Sequence, residues 1–348
     1  MPALALATCL RARFPGVEPV LIGAERGIEA QLLPTRDFRF HLLPVEPLYR
    51  RQWWKNAIWP VVAVRLLRQL GALFSAERPL GVLGTGGYAS LPSAWFASRR
   101  GLPTAIQEQN AFPGLATRLL ARRVRHVYLG LPEARARLRC GALTEVFDTG
   151  NPISPPDPGR RASAAARFAL PAGRPVVLIT GGSQGALAIN QVVAAWLERG
   201  GARDVTVLWA TGRGSHGRFA HLHQPPGVQV FDFLDPIADA YAVADLAVGR
   251  AGMMTGAELC AWGIPSLLIP LPTAAQDHQR FNAEALATAG ASAMILQRDL
   301  TVERFADVVG SLLRDGALRA RMAAAARVRG RPAAAEEIVT HLGQLFSL

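Results

Sequence analysis

Lysine is nearly missing from this chain: Lys55 is the single lysine among 38 basic residues, and arginine supplies the rest. A GC-rich genome that favours arginine codons is the expected reason for that skew. Cysteine is scarce too. Cys9, Cys140 and Cys260 are too few and too scattered for a disulfide framework or a zinc site, which suits a reducing compartment. Half of the residues are hydrophobic, yet no run reaches the roughly 18 apolar residues of a membrane-spanning helix. The start, Met1-Pro2-Ala3-Leu4-Ala5-Leu6-Ala7, has no charged n-region, which argues against a secretory signal. The glycine-rich loops have neither a P-loop lysine nor a complete G-x-G-x-x-G fingerprint. No Asp-x-Asp pair stands near them, and His126, His216, His221 and His223 have no metal-ligand spacing, so neither a metal nor a cofactor is expected. The net charge of +12 leaves anionic membrane, nucleic acid and phosphorylated substrates open as partners. Nothing resembles a nucleic-acid-binding module.

A length of 348 residues suggests two domains. Short apolar runs at Val20–Gly23, Gly81–Gly84, Thr104–Gln107 and His126–Leu129 alternate with helical patterns such as Ala57–Phe74 and Leu91–Arg100. A second alternation runs through Pro175–Thr180, Val205–Ala210, Val228–Phe231, Leu246–Val248 and Ser266–Ile269. Both predict α/β domains of doubly wound, parallel-sheet type, with ligands in a cleft at the strands' carboxyl ends. The expected divisions are an N-terminal domain over 1–147, a Pro/Gly-rich linker over 148–160 and a second domain over 161–330. A last helix over 331–348 could pack back on the first domain.

The most informative stretch is Gly249-Arg250-Ala251-Gly252-Met253-Met254-Thr255-Gly256-Ala257-Glu258, followed by Asp277-His278-Gln279 and Asn282. A helix that starts beside glycine offers free N–H donors to a pyrophosphate, and an acid one turn further in suits a ribose. Asp277, His278, Gln279 and Asn282 are expected in a polar loop, with His278 lining the site. Thr180-Gly181-Gly182-Ser183-Gln184-Gly185-Ala186 joins a strand to a helix, which fits either phosphate binding or close packing. Gly84-Thr85-Gly86-Gly87-Tyr88-Ala89-Ser90 takes the equivalent place in the first domain. Gln107-Glu108-Gln109-Asn110 is either a surface loop or part of the cleft. Arg50, Arg51, Trp53, Trp54, Lys55, Ile58 and Trp59 suit either a membrane–water interface or a core beneath a helix.

Taken together, Gly86-Gly87-Tyr88 with Ser90, Glu108-Gln109-Asn110-Ala111, Gly150-Asn151-Pro152, Gly181 to Ala186, Arg250 to Glu258, Ile269-Pro270-Leu271-Pro272 and Asp277-His278-Gln279 resemble the MurG family. These are peripheral-membrane N-acetylglucosaminyltransferases of peptidoglycan synthesis. The resemblance spans nearly the whole chain. It implies a GT-B fold and inverting transfer of GlcNAc from UDP-GlcNAc to the MurNAc 4-hydroxyl of lipid I, forming lipid II at the cytoplasmic face of the cell membrane. By the family's motifs, Gly182, Ser183 and Gln184 face the donor diphosphate. Gly252, Met253, Met254, Thr255, Gly256 and Ala257 line the uridine, Glu258 takes the ribose hydroxyls, and the backbone of Leu234 contacts uracil. His278 and Gln279 touch the GlcNAc hydroxyls, and Asn110 reaches across from the first domain. Tyr88 and Ser90 belong to the substrate-binding set, and Trp53, Trp54, Lys55, Ile58 and Trp59 form the side that meets an anionic membrane surface.

Three departures from the family pattern stand out. The family opens with a strand and a Gly-Gly-Thr-Gly-Gly-His loop whose histidine is its candidate general base; no counterpart occurs within these 348 residues, so strand edges are expected to be open. Ser154 stands where the family has arginine, with Arg160 or Arg161 as substitutes only if the segment folds back. Gln107 stands where a histidine is usual. A non-catalytic UDP-sugar-binding protein at the membrane, or another GT-B enzyme such as a glycolipid synthase or a UDP-GlcNAc epimerase, would share these motifs.

Overall fold

The computed structural model describes residues 2–27, 29–45, 59–87, 89–182 and 185–348, with the backbone alone for Trp59, Pro60 and Val61. The expected membrane-facing Trp53, Trp54, Lys55 and Ile58, the side chain of Trp59, and the expected site residues Tyr88, Ser183 and Gln184 therefore lie outside the described residues. The chain divides into two compact units: residues 1–109, 113–152 and 333–348 in one, residues 110–112 and 153–332 in the other.

The first unit holds β1 (Val20–Ala24), β2 (Arg39–Leu43), β3 (Val82–Gly84), β4 (Thr104–Glu108), β5 (His126–Leu129) and β6 (Glu145–Phe147). All pair in parallel, as two sheets: β1 with β2, and β3-β4-β5-β6 in that order. Both β1 and β3 stand at a sheet edge among the described residues. Two of these strands have no clear signal in the sequence. β2 reads Arg-Phe-His-Leu-Leu and β6 has only three residues, too short for a period to register. The apolar runs in β4 and β5 follow from burial on both faces. Ala105 and Tyr128 join Leu6, Ile338, Val339 and Leu342, whereas Ile106, Val127 and Leu129 join Ala94, Leu120 and Val124. The helix Ala334–Phe346 supplies Ile338, Val339 and Leu342, so the chain's end is part of the first unit's core.

The second unit is built on β7 (Val176–Thr180), β8 (Thr206–Ala210), β9 (Val228–Phe231), β10 (Leu246–Gly249), β11 (Ser266–Leu268) and β12 (Ser292–Met294). They form one parallel six-stranded sheet in the order β12-β11-β10-β7-β8-β9. Alternate residues of the same strand feed opposite cores: Val177, Ile179, Val207 and Trp209 on one face, Val176, Leu178, Leu208 and Ala210 on the other. The order reverses at β7, which pairs with both β8 and β10. Open α/β sheets bind ligands at the carboxyl ends of the strands at such a reversal.

The division between the two units falls within residues 148–160, after Pro152. Residues 149–153 are all buried, and Asn151 explains why: its side chain accepts from Gln107 Nε2 at 2.8 Å and donates to the Gln109 carbonyl at 3.1 Å. Helix Arg160–Arg167 packs on helix Ile237–Val243 through Asp239. Arg160 donates to Asp239 Oδ1 at 2.9 Å, Arg167 donates to Oδ2, and Arg161 donates to the Ala242 carbonyl at 3.1 Å. Arg160 and Arg161 are thus engaged in docking these helices.

The Arg167 hydrogen bond, followed by that of Arg160, holds the Asp239 carboxyl below its ordinary range. A carboxylate whose folded-state pKa is depressed stabilises the fold above its unfolded pKa of about 3.9 and stops doing so as pH falls through the folded value. Asp239→Asn is therefore expected to lower the thermal midpoint at pH 7. Melts run in parallel down to pH 3 should show the difference from the parent protein shrinking below about pH 4. A difference that stays constant with pH would contradict this assignment.

Candidate functional site

The reversal at β7 and β10 brings the two strongest glycine motifs side by side. Gly249 ends β10 so close to β7 that a Cβ there would stand 2.6 Å from the Thr180 carbonyl oxygen. After β7, the chain turns through Gly182 (φ 78°) and Gly185 (φ 71°) into helix Leu187–Glu198. Any Cβ on Gly181 would collide with Ala186, and one on Gly185 would stand 2.5 Å from the Thr211 carbonyl oxygen, so both the turn and the packing demand glycine. After β10, Arg250 donates to the Ile269 and Pro270 carbonyls at 3.2 and 3.3 Å, tying the ends of β10 and β11 together. Helix Met253–Trp262 starts at once behind Gly252. Among the described residues, neither helix start has a side-chain cap. Two sets of backbone N–H groups thus point from adjacent strand ends without an intrahelical partner, the donor arrangement an anion takes.

Within that second helix the expected uridine-lining run divides. Met253 and Gly256 are buried, and Gly256 lies against Met253 and Leu286, so these two side positions face the core. Gly252, Met254, Thr255, Ala257 and Glu258 remain partly exposed. Burial raises the Glu258 carboxyl above its ordinary pKa, while the hydrogen bond from Tyr241 opposes the shift. The Tyr241 hydroxyl donates to Glu258 Oε2 at 2.9 Å. Tyr241 has no place in any motif, and only its spacing from Glu258 in three dimensions marks it. Leu234 is buried beside the exposed Phe233, whose ring Arg213 covers at 5.4 Å.

Residues 275–282 are not the loop that their polarity predicts. Ala275–Asp277 is a single 3₁₀ turn and His278–Thr288 is a helix, which aligns the polar side chains at its start. Of Asp277, His278, Gln279 and Asn282, only Asn282 is buried. His278 donates from Nδ1 to the Ala275 carbonyl at 2.6 Å, so Nε2 is the ring nitrogen left to meet a ligand. Gln279 Oε1 accepts from the Leu271 amide at 3.0 Å, which leaves its NH₂ group as the available end. Asn282 is a hub. Its Oδ1 accepts from the Ala111 amide at 2.9 Å, and its Nδ2 donates to Asn110 Oδ1 at 3.0 Å and the Ala251 carbonyl at 3.2 Å. Phe112 stacks on Phe281 at 4.8 Å. Residues 110–112 belong by contact to the second unit.

In the first unit, Gly86 (φ 87°) and Gly87 (φ 79°) turn the chain from β3 toward the helix Ser90–Arg99. Ser90 Oγ lies 3.3 Å from where a Cβ on Gly84 would stand, at the carboxyl end of β3. Gln109 Nε2 donates to the Thr85 carbonyl at 2.9 Å, and Glu29 Oε1 lies 3.5 Å from where a Cβ on Gly87 would be. Glu108 is buried and accepts from the Gly114 amide at 2.9 Å and from Thr117 Oγ1 at 2.6 Å. Gln107 is equally buried against Asn151. The surface-loop reading of these two residues is thereby excluded, and they act as internal braces.

The glycosyltransferase family 28 N-terminal domain profile matches residues 1–129, and the C-terminal domain profile of the same family matches residues 176–338. The chain belongs to glycosyltransferase family 28. Within it, the chain is similar to proteins named UDP-N-acetylglucosamine–N-acetylmuramyl-(pentapeptide) pyrophosphoryl-undecaprenol N-acetylglucosamine transferase. The protein of Chlorobaculum tepidum is 40% identical over 352 residues, covering 98% of this chain and 94% of that one. The Moorella thermoacetica protein is 39% identical over 348 residues, covering 97% and 93%. Among solved structures, Acinetobacter baumannii MurG covers 99% of this chain and 95% of its own, at a TM-score of 0.78 and 25% identity. The two Rossmann-like units thus form a GT-B fold. A Staphylococcus aureus MnaA–UDP structure (TM-score 0.71, 14% identity) shares that fold alone.

Proposed function

We propose that this family 28 chain is an inverting hexosyltransferase that moves GlcNAc from UDP-GlcNAc to the MurNAc 4-hydroxyl of lipid I, making lipid II for peptidoglycan. The observation that carries the reading is the junction of β7 and β10, where two helices open beside glycine turns and the second of them carries the half-buried Glu258. Each part has a task. The helix starts hold the donor diphosphate and stabilise the charge that develops on departing UDP. Glu258 receives ribose hydroxyls, and the Gln279 NH₂ and His278 Nε2 meet hydroxyls of the sugar. Direct displacement from the face opposite UDP inverts the anomeric centre. The test is incubation of the full chain with labelled UDP-GlcNAc and a lipid I analogue, following the lipid-linked disaccharide by chromatography. Binding of UDP without any transfer would leave a non-catalytic UDP-sugar-binding protein. Epimerised donor without lipid I would make the chain an epimerase.

The acceptor is membrane-bound, and no helix among the described residues is long and apolar enough to cross a membrane. Peripheral attachment at the cytoplasmic face fits an exposed apolar face on three neighbouring helices of the first unit. Val64 and Leu67 lie on helix Trp59–Glu77, Trp95 on Ser90–Arg99, and Leu115 and Leu119 on Leu115–Leu120, at spacings that share a helix side. Arg65, Arg68, Arg99, Arg118 and Arg122 flank them in sequence and suit anionic headgroups. Changing Leu115 and Leu119 together to serine should weaken binding to phosphatidylglycerol vesicles, read by co-sedimentation, by roughly 30-fold or more, since each inserted leucine contributes roughly 1–2 kcal/mol. Binding of UDP measured by calorimetry should not change. Undiminished vesicle binding would remove this face from the docking surface.

A further inference from the structure

We infer that Tyr241 is the positioning residue of the donor's ribose site, holding Glu258 so that one defined carboxylate oxygen meets the sugar's hydroxyls. The inference rests on the assignment of Glu258 to the ribose. Its basis is the single hydrogen bond from the Tyr241 hydroxyl to Glu258 Oε2, at 2.9 Å. Among the described residues no hydrogen bond engages Oε1, so Oε1 is the oxygen with both lone pairs left for a ligand. Tyr241 is buried, and burial followed by the nearby Glu258 charge raises its pKa well above the ordinary value. The hydroxyl therefore keeps its proton and acts as donor, which makes the carboxylate the acceptor.

The tyrosine is itself held from two sides. Its ring sits in the buried cluster with Leu259, Ala240 and Val243, and Trp262 lies beside it at 6.4 Å. Leu259, Trp262 and Glu258 are all on the helix that opens at Gly252. Two residues before Tyr241, Asp239 binds Arg160 and Arg167 and fixes helix Ile237–Val243 against Arg160–Arg167. A connected series of contacts thus runs from those arginines through Asp239 and Tyr241 to the Glu258 carboxylate. A glutamate side chain left alone samples several rotamers and must be ordered when a ligand binds. Holding it in advance removes that penalty, and it does so only for ligands that use the carboxylate.

Tyr241→Phe tests this, because it keeps the ring and removes only the hydroxyl. Affinities for UDP and for 2′,3′-dideoxy-UDP are measured by calorimetry, with KM and kcat for UDP-GlcNAc and the thermal midpoint alongside. The expected result is a loss of about fivefold in UDP affinity and a matching rise in KM, with affinity for the dideoxy compound and kcat unchanged. In a Glu258→Gln background the Tyr241→Phe change should add little, as residues acting through one contact are not additive. Equal weakening of both nucleotides would assign Tyr241 to packing alone, and no change in either would also overturn the inference. If the parent protein itself fails to prefer UDP over the dideoxy compound, the Glu258 assignment is what fails. A parent that prefers UDP, with a Tyr241→Phe variant equally selective, fails the positioning role only.

Discussion

Replacing Glu258 with glutamine weakens UDP binding by roughly 10- to 100-fold, the range for losing charge-assisted hydrogen bonds in a partly buried site. Glutamine is the informative replacement because its amide oxygen can still accept from Tyr241, so the fold around it is retained while the charge is lost. The carboxylate is valuable here for the same reason that its pKa is raised. Burial withdraws water that would otherwise compete for its oxygens, and a ribose hydroxyl arriving there donates to a poorly solvated charge. The sign of the pH effect follows. Protonation removes the charge, and because the pKa is raised it happens at higher pH than for an exposed glutamate. UDP affinity in the parent protein should decline on acidification through that value, whereas the glutamine variant's weaker affinity should lack this contribution. Calorimetric titrations with UDP across that range check both points. Parent-like affinity in the variant at neutral pH would remove Glu258 from the ribose site.

Trp209→Ala should destabilise the second unit by about 3–5 kcal/mol, among the largest effects a single truncation produces. Trp209 lies in β8, between β7 and β9, and is fully buried. Its ring packs on Phe219 at 5.3 Å, and its indole Nε1–H donates to Asn190 Oδ1 at 3.1 Å. Asn190 in turn donates to the Thr211 carbonyl at 2.8 Å, joining helix Leu187–Glu198 to the end of β8. Truncation leaves both a large void and a buried amide oxygen without its donor. In a unit of this size the thermal midpoint should fall by roughly 10 °C, read by scanning calorimetry. Trp209→Phe fills most of the void but cannot restore the hydrogen bond, so it should lie between the parent and the alanine variant. A loss below about 1 kcal/mol in the alanine variant would show that the site collapses around the change.

Much of the β7–β10 junction is legible in the sequence, because its form depends on backbone turns. Gly181, Gly182, Gly185, Gly249 and Gly252 punctuate apolar strands where the chain must turn sharply into a helix, and that pattern is local. Helix Met253–Trp262 and Glu258 upon it could be placed from the same few residues. Strands with both faces covered announced themselves as apolar runs at β4, β5, β7, β8 and β10. The short strands β6 (Glu-Val-Phe) and β12 (Ser-Ala-Met) did not, since a charged or small polar residue among only three leaves no apolar run. Residues 275–282 differ from expectation for a related reason: polar side chains at a helix start look like a loop when read without their partners.

The sequence by itself determined the α/β class, the family, the substrate pair it implies and the glycine turns, all of which reside in short contiguous stretches. Tertiary structure alone decided which polar side chains brace the fold and which remain available to a ligand. Gln107 meets Asn151 across 44 positions, Asn282 meets Ala111 across 171, and Tyr241 meets Glu258 across 17. No periodicity encodes such partners. They arise because parallel sheets bring the ends of separate βα units together, and a buried polar atom must then find its hydrogen bond wherever the fold has placed one.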